Sequence, residues 1–475
     1  MFFNSFQFIG FFIIVLIAVF TTRLFGKSYI VRNTVLLIAS YWFYGSFNIA
    51  FTLILLFVTI INYIGGNILL KARDSKRKSI VAITTITSLL PLVFFKYALF
   101  FINSFSTLLS IELKIELLDG LLLPVGISFF TFQALSYTID IYRHKIDKRT
   151  TFLDFALFVS FFPTILSGPI EKARNLLPQI KNFFLPTSED IAQGSCIFIW
   201  GLFKKMVIAD RLAEYVDWVY ATQQWASGTT LAVAAIFYSI QIYCDFSGYS
   251  DMALGVAKAL GFNVTKNFRQ PYFSRTFKEF WRKWHIALTS WFTEYVYFSL
   301  GGSRVKLKAR WIFNISTIFV LSGIWHGAAW NFLIWGCLHA CYYLVEHFLG
   351  LQKKDIHWTR FTSAIAGIVV FILVTIAWIF FRLDTFESAT YVISKIFSDS
   401  PGIPNLGSSS FAFAGTIAML AIFFIYEILV RRQKLCFGVE NYSNRLSANL
   451  FSMVPLLVLL GMFGVTTDKF VYFQF

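Results

Sequence analysis

Long apolar runs broken by short basic loops fill this 475-residue chain, and that alternation leaves few folds open. A helix needs about 20 apolar residues to cross the hydrocarbon of a bilayer, and there every backbone N–H and C=O must find its partner within protein. Hydrophobic residues make up 57% of the chain and charged ones only 14%, a balance that in water would leave large apolar patches exposed. The fold class is therefore an all-α polytopic integral membrane protein, with about 10 to 12 spans plus re-entrant segments.

The loops orient the spans. Runs at 8–22, 34–45 and 51–70 lead to 71–78, Lys-Ala-Arg-Asp-Ser-Lys-Arg-Lys, which the positive-inside bias places in the cytoplasm, with the N-terminus outside. The first run is read as a span because Met1 to Gln7 hold no basic residue and no small-residue cleavage site follows. Runs 79–102 and 121–141, separated by the acidic stretch 112–119, return the chain to the basic loop 142–149. The short run 152–166 is basic on both flanks, so it enters and leaves on one face, and the backbone around Ser167, Gly168 and Pro169 should be buried in protein. Run 191–208 contains Lys204 and Lys205, read as lysines that snorkel to the interface. Runs 230–259, 311–324, 332–349, 362–381, 411–430 and 450–465 follow, with 384–410 an outside loop and the tail 466–475 outside. The inverted repeat common in secondary transporters is not visible.

A net charge of +16 would suggest nucleic acid in a soluble protein, but here the bases lie in loops between apolar runs, so no nucleic-acid partner is expected. The surplus falls in 258–310, where bases alternate with aromatic rings; Lys278, Trp281, Arg282, Lys283 and Trp284 form its densest part. Two readings stay open: a surface segment attracted to anionic lipid, or a cytoplasmic vestibule whose cations and rings hold a polyanionic donor.

Ionisable groups inside spans mark functional sites by default. His326 stands between Trp325 and Gly327 in an apolar run, where a neutral imidazole could take a proton from an attacking hydroxyl. His285 lies in the basic segment, while His144, His347 and His357 sit in loops or near a helix end, where solvated roles suffice. Asp245 and Asp251 share one run; six residues apart, they are separated by about 600° of helix rotation and point in different directions. They either fix an imidazole tautomer or belong to a structural polar network. Cys337, His339 and Cys341 resemble a ligand cluster, but two thiols four apart in an apolar helix are read as small core residues, and no metal is expected. The five cysteines sit in apolar runs or in a loop placed in the cytoplasm, so a disulfide framework is not expected.

Phe280-Trp-Arg-Lys-Trp-His-Ile-Ala-Leu-Thr289 followed by Trp325-His326-Gly327 resembles the signature of membrane-bound O-acyltransferases, in particular the bacterial alginate O-acetyltransferase branch. Met1-Phe-Phe-Asn-Ser-Phe6, Ser167-Gly-Pro-Ile170, Gly201-Leu-Phe-Lys-Lys205, the stretch from Gln241 to Asp251, and Tyr472-Phe-Gln-Phe475 extend the resemblance along almost the whole chain. It implies a ring of tilted helices around a funnel, a single acyltransferase domain over 1–475 with its core at roughly 120–350, and His326 at the narrowest point with His285 as the second histidine. It also implies acetyl-CoA as co-substrate with no bound cofactor, and an acetyl group passed outward to an alginate-like polysaccharide. An extracytoplasmic partner of the SGNH-hydrolase type and a multi-pass location in the bacterial inner membrane go with it. D-alanyl transfer to teichoic acid and O-acetylation of peptidoglycan are the nearest alternatives within the family. On this resemblance His326 is the general base, and His285 orients the donor or stabilises the oxyanion.

Tyr472, near the outer end of the tail, is a candidate acyl acceptor; its rival is packing of Phe470, Phe473 and Phe475 at the interface. From other classes, a secondary transporter would line its pathway with Asp245, Asp251 and the lysines, and a membrane scaffold would tolerate loss of both histidines.

Overall fold

The computed structural model describes the chain except residues 27, 112–119, 121, 354, 408, 433–445 and 466–475. Tyr472 and its tail, Cys436 and the acidic stretch at 112–119 lie outside the described residues. Everything regular among the described residues is helical, as a bilayer requires of an open chain. Seven helices are long and apolar enough to cross a membrane. The other expected spans form helices too, but shorter or more polar ones.

The chain divides into two compact units. The first, Met1–Phe198 with Ala253–Thr265, contains α1 (Phe6–Thr21), α2 (Tyr29–Gly45), α3 (Ile49–Lys71), α4 (Asp74–Leu109), α5 (Ile127–Tyr142), α6 (Phe152–Ser160), α7 (Ala173–Lys181) and most of α8 (Ser188–Leu202). Here α3 packs on α4 and α5 with little room at its glycines: Gly66 abuts the Tyr137 ring. A polar link ties the three, since Asn62 donates to Ser88 Oγ (2.9 Å) and accepts from Thr138 Oγ1 (2.8 Å), a typical bond between membrane helices. The chain leaves α6 through a non-helical stretch in which Ser167, Gly168 and Pro169 are buried. Its backbone is satisfied by side chains of α2 and α5: the Phe162 N–H donates to Ser40 Oγ (3.1 Å) and the Glu171 N–H to Gln133 Oε1 (3.3 Å).

The second unit, Ile199–Met252 with Lys266–Phe475, begins at the end of α8, where the helix widens into a π-helical segment, Phe203–Ala209, then narrows into α9 (Asp210–Ala221). It continues with most of α10 (Gly228–Ala259), whose last turns belong to the first unit, the short α11 (Phe277–Lys283) and α12 (Ile286–Phe292), the π-helical Thr293–Tyr297, and α13 (Lys308–His326) and α14 (Trp330–Phe348). α15 (Arg360–Arg382), α16 (Phe386–Ser398), α17 (Ser410–Arg431) and α18 (Leu446–Phe463) complete it. α16 lies within the stretch read as an outside loop; its apolar residues recur at helical spacing, burying Ala389 and Val392, and the Thr385 hydroxyl caps its start.

The lysines of the π-helical segment do not snorkel. Lys204 and Lys205 are 2% and 4% exposed, and each ammonium meets carboxylate. Lys204 bonds Asp251 (2.7 Å) and Ser247 Oγ (2.9 Å); Lys205 bonds Asp245 and Asp210, both at 2.7 Å. Gly201 and Gly248 touch backbone to backbone beside them, which holds the polypeptide close enough for short ion pairs. Asp245 and Asp251 thus project to different lysines, as their spacing on α10 demands, and form a polar network with them.

Candidate functional site

His285 and His326 come together in the second unit, their ring centroids 6.5 Å apart and their exposures 1% and 4%. His326 is the last residue of α13, and glycine decides where that helix ends in space. A Cβ on Gly336 of α14 would come within 2.5 Å of the Phe319 carbonyl oxygen, and Gly323 lies just as tightly on the Phe332 carbonyl. α13 and α14 therefore approach to backbone contact, and the extended backbone at Gly327 halts α13 against the Phe332 ring. The imidazole is left among Trp325 (4.9 Å), Trp335 (5.1 Å) and Phe381 (5.2 Å).

His285 is placed by a turn. Its backbone is left-handed, φ 43 and ψ 54, a sparsely populated conformation for a side chain with a Cβ. Asn267 holds the turn: its carbonyl accepts from the Ile286 N–H (2.8 Å), and its Oδ1 accepts from the Ala287 N–H (3.2 Å) and meets His285 Nδ1 at 3.0 Å. Because the Ala287 N–H fixes Oδ1 as the acceptor, Nδ1 must carry the hydrogen and Nε2 the lone pair. Asn267 is anchored in turn by donating to Ser250 Oγ on α10 (3.1 Å). Phe246 packs edge-on against the His285 ring (4.7 Å) and Trp325 touches both histidines.

The same unit has a cavity of about 250 Å³ whose lining includes neither histidine. Its lining includes Lys278, Trp281 and Arg282 of α11, Leu288 of α12, and Phe319 and Ser322 of α13. Ser322 lies four residues before His326, on the same face of α13. α11 is set by its caps: Thr276 Oγ1 accepts from the Glu279 N–H (3.0 Å), and Glu346 of α14 accepts from the N–H groups of Phe277 (2.5 Å) and Lys278 (3.1 Å). Of the donor-binding candidates, Lys278, Trp281 and Arg282 reach the cavity. Lys283 and Trp284 do not. Lys283 is held by Glu279 at 2.7 Å. Burial alone would raise the Glu279 carboxyl, but the Arg275 N–H and the Lys283 ammonium outweigh it and bring the group below its usual range. Trp284 is 0% exposed, between Phe280 (5.5 Å) and Trp378 (5.0 Å).

On α14 the helix turns Cys337 and Cys341 to the exposed surface and His339 inward, where it is 0% exposed. The two thiols are not core residues, and the three side chains do not converge.

Asn267 and Ser250 carry no pattern that sequence could have flagged. The pairing of Lys204 and Lys205 was signalled, by two lysines and two carboxylates stranded in neighbouring apolar runs.

Among the described residues the regular structure is all helical, with seven helices of membrane-spanning length and two imidazoles enclosed near one another, which defines a polytopic membrane protein with a buried titratable site. The sequence profile of the membrane-bound O-acyltransferase (MBOAT) family matches residues 36–390, and the chain belongs to that family; it is a multi-pass membrane O-acyltransferase. It is 37% identical over 378 residues to the probable alginate O-acetylase AlgI of Pseudomonas aeruginosa, covering 78% of this chain and 71% of that protein. It is similar, too, to the peptidoglycan O-acetyltransferase of Helicobacter pylori, 34% identical over 405 residues, 79% of this chain and 75% of that one. The teichoic acid D-alanyltransferase of Bacillus subtilis is 28% identical over 280 residues, 55% of this chain and 69% of its own length. Family membership sets aside the transporter and scaffold readings.

Proposed function

We propose that the protein is an O-acetyltransferase of a bacterial inner membrane. In this reading it takes acetyl from acetyl-CoA on the cytoplasmic side and passes it outward for attachment to an alginate-like polysaccharide, as one acyltransferase domain over its whole length. An extracytoplasmic SGNH-hydrolase-type transferase completes the attachment, and no bound cofactor is needed. The observation that carries this is the enclosed His285–His326 pair, in the same unit as a cavity with Lys278 and Arg282 on its lining; the similarity to alginate O-acetylases supports the acyl group and the acceptor class.

The chemistry is proton transfer in a dry site. A hydroxyl attacks the thioester carbonyl as His326 accepts its proton; the new C–O bond forms, the C–S bond breaks, and the proton is returned to the departing thiolate. His285 faces the same reacting centre and orients the donor or stabilises the oxyanion. Lys278 and Arg282 hold the donor's phosphates. Tyr472 as an intermediate acyl carrier would place the first acceptor hydroxyl on the protein's own tail, and Tyr472→Phe would then abolish polysaccharide acetylation.

The test is thioester loss and acetyl transfer by purified protein with acetyl-CoA, with its extracytoplasmic partner present. His326→Ala at matched folded amounts is expected to lower turnover by about 10²- to 10⁴-fold. Equal turnover would remove His326 from the chemistry. The peptidoglycan reading has its own support in the Helicobacter relative, and presenting both polymers as acceptors separates the two.

A further inference from the structure

A second cavity of about 250 Å³ is built on α9, where Arg211, Glu214, Tyr215 and Trp218 recur at helical spacing along one face. Phe237 of α10, Phe413 of α17 and the connection just before α17 close it. Four rings make a continuous wall. Tyr215 packs on Trp218 (5.7 Å), Phe237 (5.3 Å) and Phe413 (5.7 Å), and Phe237 stacks on Phe413 (5.7 Å). The Tyr215 hydroxyl donates to the Asn405 carbonyl (2.7 Å), which ties the wall to that connection. Trp218 stays 38% exposed, so its ring is open to a ligand that enters.

The cavity also holds a cation with a bond to spare. The Arg211 guanidinium lies over the Phe463 ring (5.5 Å) and donates from Nη2 to the Phe463 carbonyl (3.1 Å), but its buried Nε–H has no acceptor among the described residues. A buried donor left unpaired costs free energy, and a guanidinium in a concave, ring-lined site is suited to a carboxylate. The acids of α9 do not fill that role: Asp210 and Asp217 are held by Lys205 and Arg382, both at 2.7 Å. Glu214 is exposed, where water and salt screen its charge and its oxygens can accept from hydroxyl groups.

The order of these groups selects among anions. Arg211 stands seven residues before Trp218, about 10 Å along α9, so the cation lies far from the connection between α9 and α10 and the indole lies near it. In the proposed orientation that connection faces outward. An outer-leaflet lipid would present the reverse order, with its charge at the surface and its chains within. A sugar ring bearing a carboxylate fits: its C–H face lies against the negative faces of the aromatic rings, and the carboxylate reaches Arg211. A neutral sugar would leave the Nε–H unpaired.

We infer that this cavity is a subsite for an acidic sugar of the acceptor chain, a uronate whose carboxylate is held by Arg211 and whose ring lies against Trp218 and Tyr215. The inference rests on the acetyltransferase reading and deepens it: the acceptor polymer is held by the membrane protein itself, on the side where acetyl emerges.

Equilibrium binding to the full chain in detergent, without its extracytoplasmic partner, tests it with two probes: a mannuronic acid tetrasaccharide and the neutral mannose tetrasaccharide of the same linkage. Wild type is expected to bind the acidic probe more tightly by about tenfold, the worth of a hydrogen bond to a charged group. Arg211→Gln, which keeps a donor and removes the charge, is expected to erase that preference by weakening the acidic probe alone. Trp218→Ala is expected to weaken both probes several-fold and supplies the result if Arg211→Gln does not fold. Equal affinity of wild type for the two probes overturns the subsite, as do folded variants that bind the acidic probe as wild type does. Loss of partner capture by Arg211→Gln with its affinity for the acidic probe intact also overturns it, and would make the cavity a protein-docking site. A wild type that turns over acetyl-CoA with its partner present yet does not bind the acidic probe overturns the subsite alone. A wild type that does neither removes the acetyltransferase reading and the subsite with it.

Discussion

At the scale of residues, the site is a problem of keeping imidazoles dry and correctly protonated. Sequence showed His326 and His285, because a histidine in an apolar run or among tryptophans is costly without a purpose. It could not show Asn267, an uncharged residue in a patternless connection, yet Asn267 fixes the His285 tautomer and the turn that presents it. Nor could it separate Trp281 from Trp284, three residues apart, one lining the cavity and one buried behind it. Asn267→Ala would leave the Ala287 N–H and His285 Nδ1–H without their acceptor, each at a cost of about 1–3 kcal/mol. Steady-state turnover of that variant should fall by about 10- to 100-fold, with Asn267→Asp, which keeps the acceptor, retaining more activity. An Asn267→Ala enzyme with wild-type turnover would show that the turn holds His285 unaided.

At the scale of elements, the apolar runs were legible because their length is set by the bilayer, and helix ends less so because caps and close packing set them. The π-helical widening at Phe203–Ala209 follows from a demand no local pattern expresses: adjacent lysines must reach separate carboxylates on α10. α16 escaped notice inside a loop rich in serine, glycine and proline. The α13–α14 contact was foreshadowed by the glycines around His326, but its depth depends on Gly336, ten residues further on. Backbone contact of this kind leaves no slack, so Gly336→Ala forces the helices apart against the Phe319 carbonyl. An added methyl in a packed interior costs about 1–3 kcal/mol, and moving His326 should reduce turnover more than it reduces donor affinity. Thermal unfolding by tryptophan fluorescence, read beside kcat and KM, checks this. An unchanged melting point with unchanged kcat would mean that α14 can yield without displacing the imidazole.

At the scale of the molecule, loop charge and loop contact sort the second unit in the same way. The connection after α16 touches the start of α10: Gly402 and Asn405 N–H groups donate to Thr229 and Thr230 hydroxyls (3.1 and 3.0 Å), and the Gly228 N–H donates to Asp399 (2.8 Å). None of these segments is basic, as an outer face requires. The opposite grouping is cationic. Arg275 lies over Trp358, Arg431 over Phe273, and Glu346 ties the start of α11 to Gln352. α10, at 1.5 Å per residue about 48 Å long, starts at the first group and is long enough to cross a bilayer of about 30 Å, and Tyr272, next to Phe273, donates to the Ser239 carbonyl partway along it. The proposed reaction requires the Lys278 and Arg282 side to face the cytoplasm and residues 399–407 to face outward. Cysteines introduced at Gly402 and Lys353, both exposed, in a background with the five native cysteines replaced, test the direction in intact spheroplasts. A membrane-impermeant maleimide should label Gly402→Cys at once and Lys353→Cys only after permeabilisation. The reverse pattern would put the cationic cavity on the outside, where acetyl-CoA is absent, and the donor would have to be something else.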